Sequence, residues 1–271
     1  MKERHPMEHI SSEEIVNIVE ALRVQEWTRP WVFEENMKRL LEKENKKLIQ
    51  ELGRSPLPTE KGDWTYFVYG DMTRGVQHQV LAYGDYSIEK NVRPKENVLT
   101  RIHSSCHTNE VFGAVNCECR AQLHEAMKLM QKEGDGIILY LDQEGRGNGI
   151  AAKLAQLNGM FGWENGRIVQ KRDEFGVRID TDRAYREAGY PSESRDFAVA
   201  GQILQSMGIK SVRLLTNNPR KIRGIAQMSI SVTPVEIHIT PENEIIATDL
   251  QSKAQNLNHN IKEEYWQIKN K

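Results

Sequence analysis

The chain has 271 residues and a formal net charge of −1, with a pI near 6.7. No global field therefore draws it to nucleic acid or to an anionic membrane, and any anion it binds must be met by a local cluster of Arg and Lys. Its length allows one large domain or a domain with an extension. No apolar run approaches the ~20 residues of a membrane span, and Met1-Lys2-Glu3-Arg4-His5 lacks a signal peptide's apolar stretch, which points to a cytoplasmic protein.

Residues 1–60 read as a helical N-terminal extension, and 61–271 as one further domain. Ser11-Ser12-Glu13-Glu14 has capping-box spacing, with Ile15, Ile18, Val19 and Leu22 following on one helical face. Arg29-Pro30 breaks the pattern. Phe33 through Leu52 reads as a second amphipathic helix ending at Gly53, with Ser55-Pro56-Leu57-Pro58 as a linker. Such a helical pair could pack on a partner subunit or on its own domain.

From Trp64 the period changes to two. Trp64–Tyr69, Gln79–Tyr83 and Asn97–Ser105 read as strands of an antiparallel sheet. In the third, alternation puts Arg101, His103 and Ser105 on one face and Val98, Thr100 and Ile102 on the other. After Cys119 a helix carries Leu123, Met127 and Met130 on one stripe and closes at Gly134. Ile137–Leu141 reads as a buried strand, followed by the loop Asp142–Gly149 and a helix from Ile150 to about Leu157. A helix from Asp196 to Met207, a strand Ser211–Leu215 and a helix opened by Pro219 make this half α/β, and Asp249–Gln267 reads as a charged surface helix. The fold class expected is α+β, an antiparallel sheet half joined to an α/β half.

All three cysteines fall within the stretch from Arg101 to Cys119. In a reducing compartment such a cluster points to metal or nucleophile chemistry rather than to disulfides. Cys117-Glu118-Cys119, read as extended, places both sulfurs on one face, and with Cys106 they make a three-thiolate set. An open fourth position would hold a catalytic water. A fourth ligand from His103 or His107 would instead close a structural site, and the polar face beside the cysteines favours the open form. Glu144-Gly145-Arg146-Gly147-Asn148-Gly149 and Thr216-Asn217-Asn218-Pro219-Arg220-Lys221 each lie between a strand and a helix, where amides and cations can hold phosphate oxygens. An ordinary flexible turn would look similar, but two such loops in one α/β unit suggest a polyphosphate or nucleotide. In Glu193-Ser194-Arg195-Asp196, a helix cap is the plain reading of Ser194 or Asp196.

Together the tokens Arg101-Ile102-His103-Ser104-x-Cys106, Cys117-x-Cys119, Gln122, Glu144-Gly145-Arg146, Arg195-Asp196-Phe197 and Leu214-Leu215-Thr216-Asn217-Asn218-Pro219 resemble the GTP cyclohydrolase II family, over about Trp64 to Ile261. The resemblance implies one zinc ion per subunit on Cys106, Cys117 and Cys119, whose water attacks C8 of guanine to release formate. It also implies Mg²⁺-assisted loss of pyrophosphate, with Arg195 as nucleophile and Glu193 beside it as the acidic partner. Arg101, His103, Ser105, Gln122, Glu144, Gly145, Arg146, Thr181, Thr216 and Lys221 would contact GTP. A homodimer in riboflavin biosynthesis is implied as well.

Three positions depart from the family pattern. Glu193 stands where Asp is usual, and Ser105 where Glu is usual. Leu157 falls where the family usually carries a Tyr that assists the ring chemistry, and leucine has no proton to donate. Gly159–Arg178 is also longer than the family's equivalent and reads as a lid or a lengthened surface loop. The departures leave open a diverged enzyme that stops at the ring-opened formamide or takes another nucleotide, and a non-catalytic nucleotide-binding module with structural zinc.

Overall fold

The apolar and β-branched residues of two strands define the centre of the fold, because β4 (Val98–Ser104) is buried on both faces and β5 (Gly136–Leu141) nearly so. A strand with no solvent face belongs in the middle of a sheet covered on both sides. The computed structural model describes residues 48–86 and 95–267. By internal contacts the chain divides into two units, 1–50 with 71–76, and 51–70 with 77–271. In the described part of the first, Met72 N donates to Leu48 O at 2.9 Å, and Asp71 Oδ1 accepts from Thr73 N at 2.9 Å and Thr73 Oγ1 at 2.6 Å. The rest of the description concerns the second unit.

Its main sheet has seven strands in the order β1-β2-β3-β5-β4-β8-β9. The arm β1 (Ile49–Thr59), β2 (Gly62–Asp71) and β3 (Val76–Tyr83) joins the remainder where β3 pairs antiparallel with β5, Leu81 opposite Ile138. β4 runs parallel to both of its neighbours, β5 and β8 (Ser211–Leu215), and β8 is parallel to β9 (Ser231–Val235). The expectation of two halves, one antiparallel and one α/β, is thus corrected in one respect. There is a single mixed sheet, and Asn97–Ser105 belongs to its parallel part. The physical reason is connectivity: the segment between β4 and β5 holds two helices and is long enough for a crossover, which adjacent parallel strands require.

Those helices are α1 (His107–Glu110) and α2 (Cys119–Glu133). Helix α2 ends at Gly134 in the left-handed conformation (φ 79°), as its sequence predicts. Its Ala126, Met127 and Met130 pack with Trp64, Leu99, Ile138 and Leu215, and Leu123 joins at the margin. The predicted apolar stripe is therefore the one that covers the sheet.

Two other expectations change. The stretch expected to end a helix and form a linker is strand β1, so the boundary at residue 60 cuts through a hairpin; the expected helices over residues 11–47 lie outside the described residues. Among the described residues β1 is an edge strand, and Pro56 and Pro58, two apart and so facing the same way, are tolerated there because an edge strand can leave one row of donors unpaired. The tail forms helix α7 (Glu244–Asn256), capped by the Asn243 side chain, but it is not a surface helix, since Asp249, Leu250 and Ser252 are buried. Residues 257–267 continue as loop and a short 3₁₀ turn.

The long segment after α3 (Gly149–Met160) forms its own hairpin, β6 (Phe161–Glu164) and β7 (Arg167–Gln170), turned at Asn165 (φ 49°) and Gly166 (φ 74°). Two positive φ values at an Asn-Gly pair are what a two-residue hairpin turn requires. Helix α4 (Thr181–Glu187) follows, capped by Asp180, then α5 (Ala198–Ser206) and α6 (Pro219–Ala226).

Helices α5 and α6 meet at two glycines. A Cβ at Gly224 would stand 2.8 Å from the Phe197 carbonyl carbon, whereas one at Gly201 would meet the Met228 side chain, 2.6 Å from its Cγ. Backbone cannot yield as a methionine can, so Gly224→Ala is expected to lower stability by about 1–3 kcal/mol and Gly201→Ala by clearly less. Urea unfolding midpoints of the two variants check this.

Candidate active site

Strand β4 delivers its alternate residues Arg101 and His103 to one face and then ends at the first cysteine. Cys106 and Cys117 are buried, and their sulfurs lie 3.7 Å apart. With Cys119, the three sulfurs all fall within 4.8 Å of one another. Cys119 opens helix α2 and Glu118 precedes it in a turn rather than an extended conformation, so the chain gathers the sulfurs by turning, not by strand alternation. Two sulfurs each ~2.3 Å from one tetrahedral ion stand about 3.8 Å apart, so the cluster suits a single soft cation. Hydrogen bonds from Cys117 and Cys119 hold the Cys106 thiol far below its ordinary range, and the same sharing pushes Cys117 up.

Through Cys119 the cluster opens onto a cleft. Cys119 lines it together with the predicted residues Arg101, His103, Gln122, Arg195, Thr216 and Lys221. Ser105, Glu144, Gly145, Arg146, Thr181 and Glu193 lie outside that lining. Ser105 Oγ instead accepts from Gln143 N at 3.2 Å. Glu144 ties the Gly-rich loop to the metal loop: Oε2 accepts from His107 N at 2.7 Å, and Oε1 from Gly145 N at 2.8 Å. Amides that could hold phosphate are partly used within this loop, where Gly149 N donates to Glu144 O at 3.0 Å. Thr181 begins α4, with its hydroxyl 3.6 Å from Met160 Sδ.

Within the cleft the cations are held by the protein. Arg101 donates from Nη1 to Leu215 O at 2.9 Å and from Nη2 to Gln122 Oε1, and burial lowers its pKa to about 10. Lys221 Nζ donates to Ile102 O at 2.9 Å; burial, then Arg101 and Arg195, push its pKa well down. His103 Nε2 lies 2.6 Å from Glu110 Oε1, its ring stacks on Tyr140, and burial holds its pKa low. Glu193 accepts from Arg195 Nε at 2.7 Å and also from Nη2. Burial would raise Glu193, but Arg195 more than reverses this; Arg195, lowered by burial, is raised further by Glu193.

Several lining residues carry buried polar atoms with no partner among the described residues: Arg101 Nε, His103 Nδ1, Ser104 Oγ, Glu118 Oε2 and Asn218 Nδ2. Buried polar groups are rarely left so, and their convergence on one cleft marks it as a place where a polar ligand belongs.

The pattern of the GTP cyclohydrolase II family matches residues 50–236. The chain belongs to this family. It is 38% identical over 206 residues to "Riboflavin biosynthesis protein RibBA" of Bacillus mycoides, covering 75% of this chain and 46% of the relative. The like-named proteins of Phocaeicola vulgatus and Chlorobium phaeovibrioides are each 34% identical, covering 79% of this chain and 48% and 47% of theirs. The chain thus spans about half the length of the curated relatives it matches. A solved structure described as RibBX, a two domain 3,4-dihydroxy-2-butanone 4-phosphate synthase from A. baumannii, is similar at a TM-score of 0.35 with 14% identity, covering 79% of this chain and 48% of that one, too weak a likeness to bear on the fold.

Beside the family tokens the site holds residues that sequence reading passed over. Lys253 donates to Glu118 Oε1 and pairs with Asp249 Oδ2, each at 2.7 Å, and Asp249 Oδ1 lies 3.6 Å from Arg146 Nη2. Glu118 Oε1 also accepts from Gln122 Nε2 at 2.9 Å. The signal was an Asp and a Lys four apart on a helix, which is common on surfaces and so carried no weight. Lys153 is buried, with burial lowering its pKa but the thiols of Cys106 and Cys117 raising it further. Tyr185 is buried too, its ring centre 5.7 Å from the Arg146 guanidinium carbon. His259 lines the cleft, lowered to about 2 by burial and by Lys253.

Burial alone would raise the Asp249 carboxyl, but Lys253 and Arg146 hold it below the usual carboxylate range. A carboxylate depressed in the folded state stabilises above its unfolded pKa of ~3.9, and that contribution is lost as pH falls below it. Asp249→Asn is expected to be about 3–5 kcal/mol less stable at pH 7. It should also lose less stability than the parent between pH 5 and pH 3, and urea unfolding at several pH values checks both outcomes.

Proposed function

We propose that this chain is a zinc-dependent cyclohydrolase that opens the imidazole ring of GTP and releases formate and pyrophosphate, leaving a diaminopyrimidinone ribosyl phosphate on the way to riboflavin. The observation that carries the reading is that a three-sulfur cluster reaches, through Cys119, the same cleft as Arg101, Arg195 and Lys221, whose lining residues carry unpartnered polar atoms. Cys106, Cys117 and Cys119 would hold zinc, and the 3.7 Å between the Cys106 and Cys117 sulfurs fits it. Bound there, zinc would supply a water acidic enough to attack C8 near neutral pH.

The chain's own groups bind and orient. Arg101, Thr216 and Lys221 supply charge and donors for the nucleotide, while His103 and Gln122 offer fixed polar edges in the same cleft. Ser105, Glu144, Gly145, Arg146 and Thr181 complete the proposed contact set, and their place outside the present lining requires local closure around the substrate. Mg²⁺ would enter with the triphosphate and offset charge on the leaving pyrophosphate. Arg195 would attack the α-phosphorus and displace pyrophosphate, Glu193, which accepts from its Nε and Nη2, would take the proton the guanidinium loses, and water would then cleave the phosphorus–nitrogen bond to free the ribosyl phosphate and restore Arg195. A homodimer in the cytoplasm belongs to the same proposal.

A second reading, hydrolysis that stops at the ring-opened formamide, is favoured by Leu157, which puts a hydrocarbon on helix α3 where the family's phenol is expected. Zinc-loaded protein with Mg²⁺ and GTP is expected to give formate and pyrophosphate together; pyrophosphate without formate supports the second reading, and Leu157→Tyr should then restore formate. Glu193→Gln is expected to slow pyrophosphate release by about a hundredfold or more. Cys119→Ser is expected to stay folded and bind nucleotide while losing zinc and turnover, read by metal analysis and circular dichroism. If it unfolded instead, zinc would be a structural staple and the catalytic reading would fall.

A further inference from the structure

We propose that Glu110 is a positioning residue: braced by Tyr140, it holds the ring of His103 so that Nδ1 offers a lone pair to the cleft and accepts from an N–H or O–H group of the bound nucleoside. This rests on the reading of the cleft as a nucleotide site and adds to it the part of the ligand that His103 can recognise.

Glu110 closes helix α1 in the loop between Cys106 and Cys117, and its N–H donates to Cys106 O at 2.9 Å. Its two carboxylate oxygens are used separately. Oε2 accepts from the Tyr140 hydroxyl at 2.6 Å, and Oε1 lies 2.6 Å from His103 Nε2. A carboxylate can only accept, so Nε2 carries the hydrogen. Burial, reinforced by the Arg101 charge, outweighs Glu110 and holds the His103 pKa low, which leaves the ring neutral and Nδ1 bare. Tyr140 fixes the ring plane as well. It lies opposite His103 across β4 and β5, and the two rings stack with centres 5.7 Å apart and planes 18° apart.

The atom left over is Nδ1. It is buried without a partner among the described residues, and His103 lines the cleft whereas Glu110 and Tyr140 do not, so the carboxylate grips the ring from behind. A bare imidazole nitrogen is repelled by ionised phosphate oxygens, which can only accept, and is matched by the donors of a base or a sugar. Two residues earlier on the same face of β4, Arg101 Nε is an unpartnered donor. The strand therefore presents a donor and an acceptor side by side, which suits a nucleoside better than an anion alone.

The test is nitrogen NMR of zinc-loaded full-length protein labelled at histidine, with the His103 signals assigned by their loss in His103→Gln. The free protein is expected to show a neutral His103 protonated at Nε2, and its Nδ1 signal to move on addition of GMP but not of inorganic pyrophosphate. Glu110→Leu is expected to abolish that movement and weaken GMP about tenfold, whereas Tyr140→Phe, which removes only the brace, should keep the Nε2–H ring and weaken GMP by less. A hydrogen on Nδ1 in the free protein, an equal response to pyrophosphate, or a Glu110→Leu protein that binds GMP and shifts like the parent overturns the inference and leaves the nucleotide reading intact. Should Glu110→Leu not fold, the parent's tautomer and its two ligand responses decide alone. Failure of the parent to bind GMP overturns both readings.

Discussion

A buried run of alternating charge and amide holds the site together. From Arg146 it passes to Asp249, Lys253, Glu118, Gln122 and Arg101, and ends on the Leu215 carbonyl of strand β8. Its members come from the Gly-rich loop, the last helix, the cysteine loop, helix α2 and the central strand. In a low-dielectric interior each link strengthens its neighbours, and removal of one leaves a buried charge uncompensated. The geometry of the cleft therefore depends less on any local motif than on this run being complete. Glu118, between two proposed metal ligands, couples the thiolate cluster to the cationic wall, and burial raises its pKa even with Lys253 opposing.

The sheet decides which residues can join that run. β4 is central and parallel to both neighbours, so the ends of β4, β5 and β8 lie side by side and the loops that follow them meet. Those loops are the cysteine loop, Glu144-Gly145-Arg146 and Thr216-Asn217-Asn218, and meeting beyond strand ends is the general place for ligands in such sheets. The left-handed Arg146 (φ 57°) between Gly145 and Gly147 turns its side chain toward Asp249 and Tyr185, away from the lining of the cleft. A non-glycine residue in that conformation is unusual enough to be held for a purpose.

Much of this was legible in the residues. The α2 stripe of Leu123, Met127 and Met130, the Gly134 stop and the Pro219 start all describe short-range physics, and each is found where the pattern put it. The pairing partner of β4 was not legible, because alternation reports faces and not neighbours. β1 was misread as helix end and linker since its prolines signal a break unless the strand is known to be an edge. The hairpin at Asn165-Gly166 carries a strong local turn signal, whereas the length of the segment around it suits a lid or surface loop equally well. Asp249 and Lys253 were illegible for another reason: their partners Arg146 and Glu118 lie more than a hundred positions away in the chain.

That separation bears on how the protein is made. Cys106, Cys117 and Cys119 sit close together in the chain and need only the turn before α2 to converge, whereas the cleft needs Lys253 and His259 from its far end. A ribosome delivers the thiols early and the closing helix late, so a nascent chain can already gather its three sulfurs while the cleft still lacks a wall. Convergence of the thiols and closure of the cleft therefore arise at different moments in the life of each molecule.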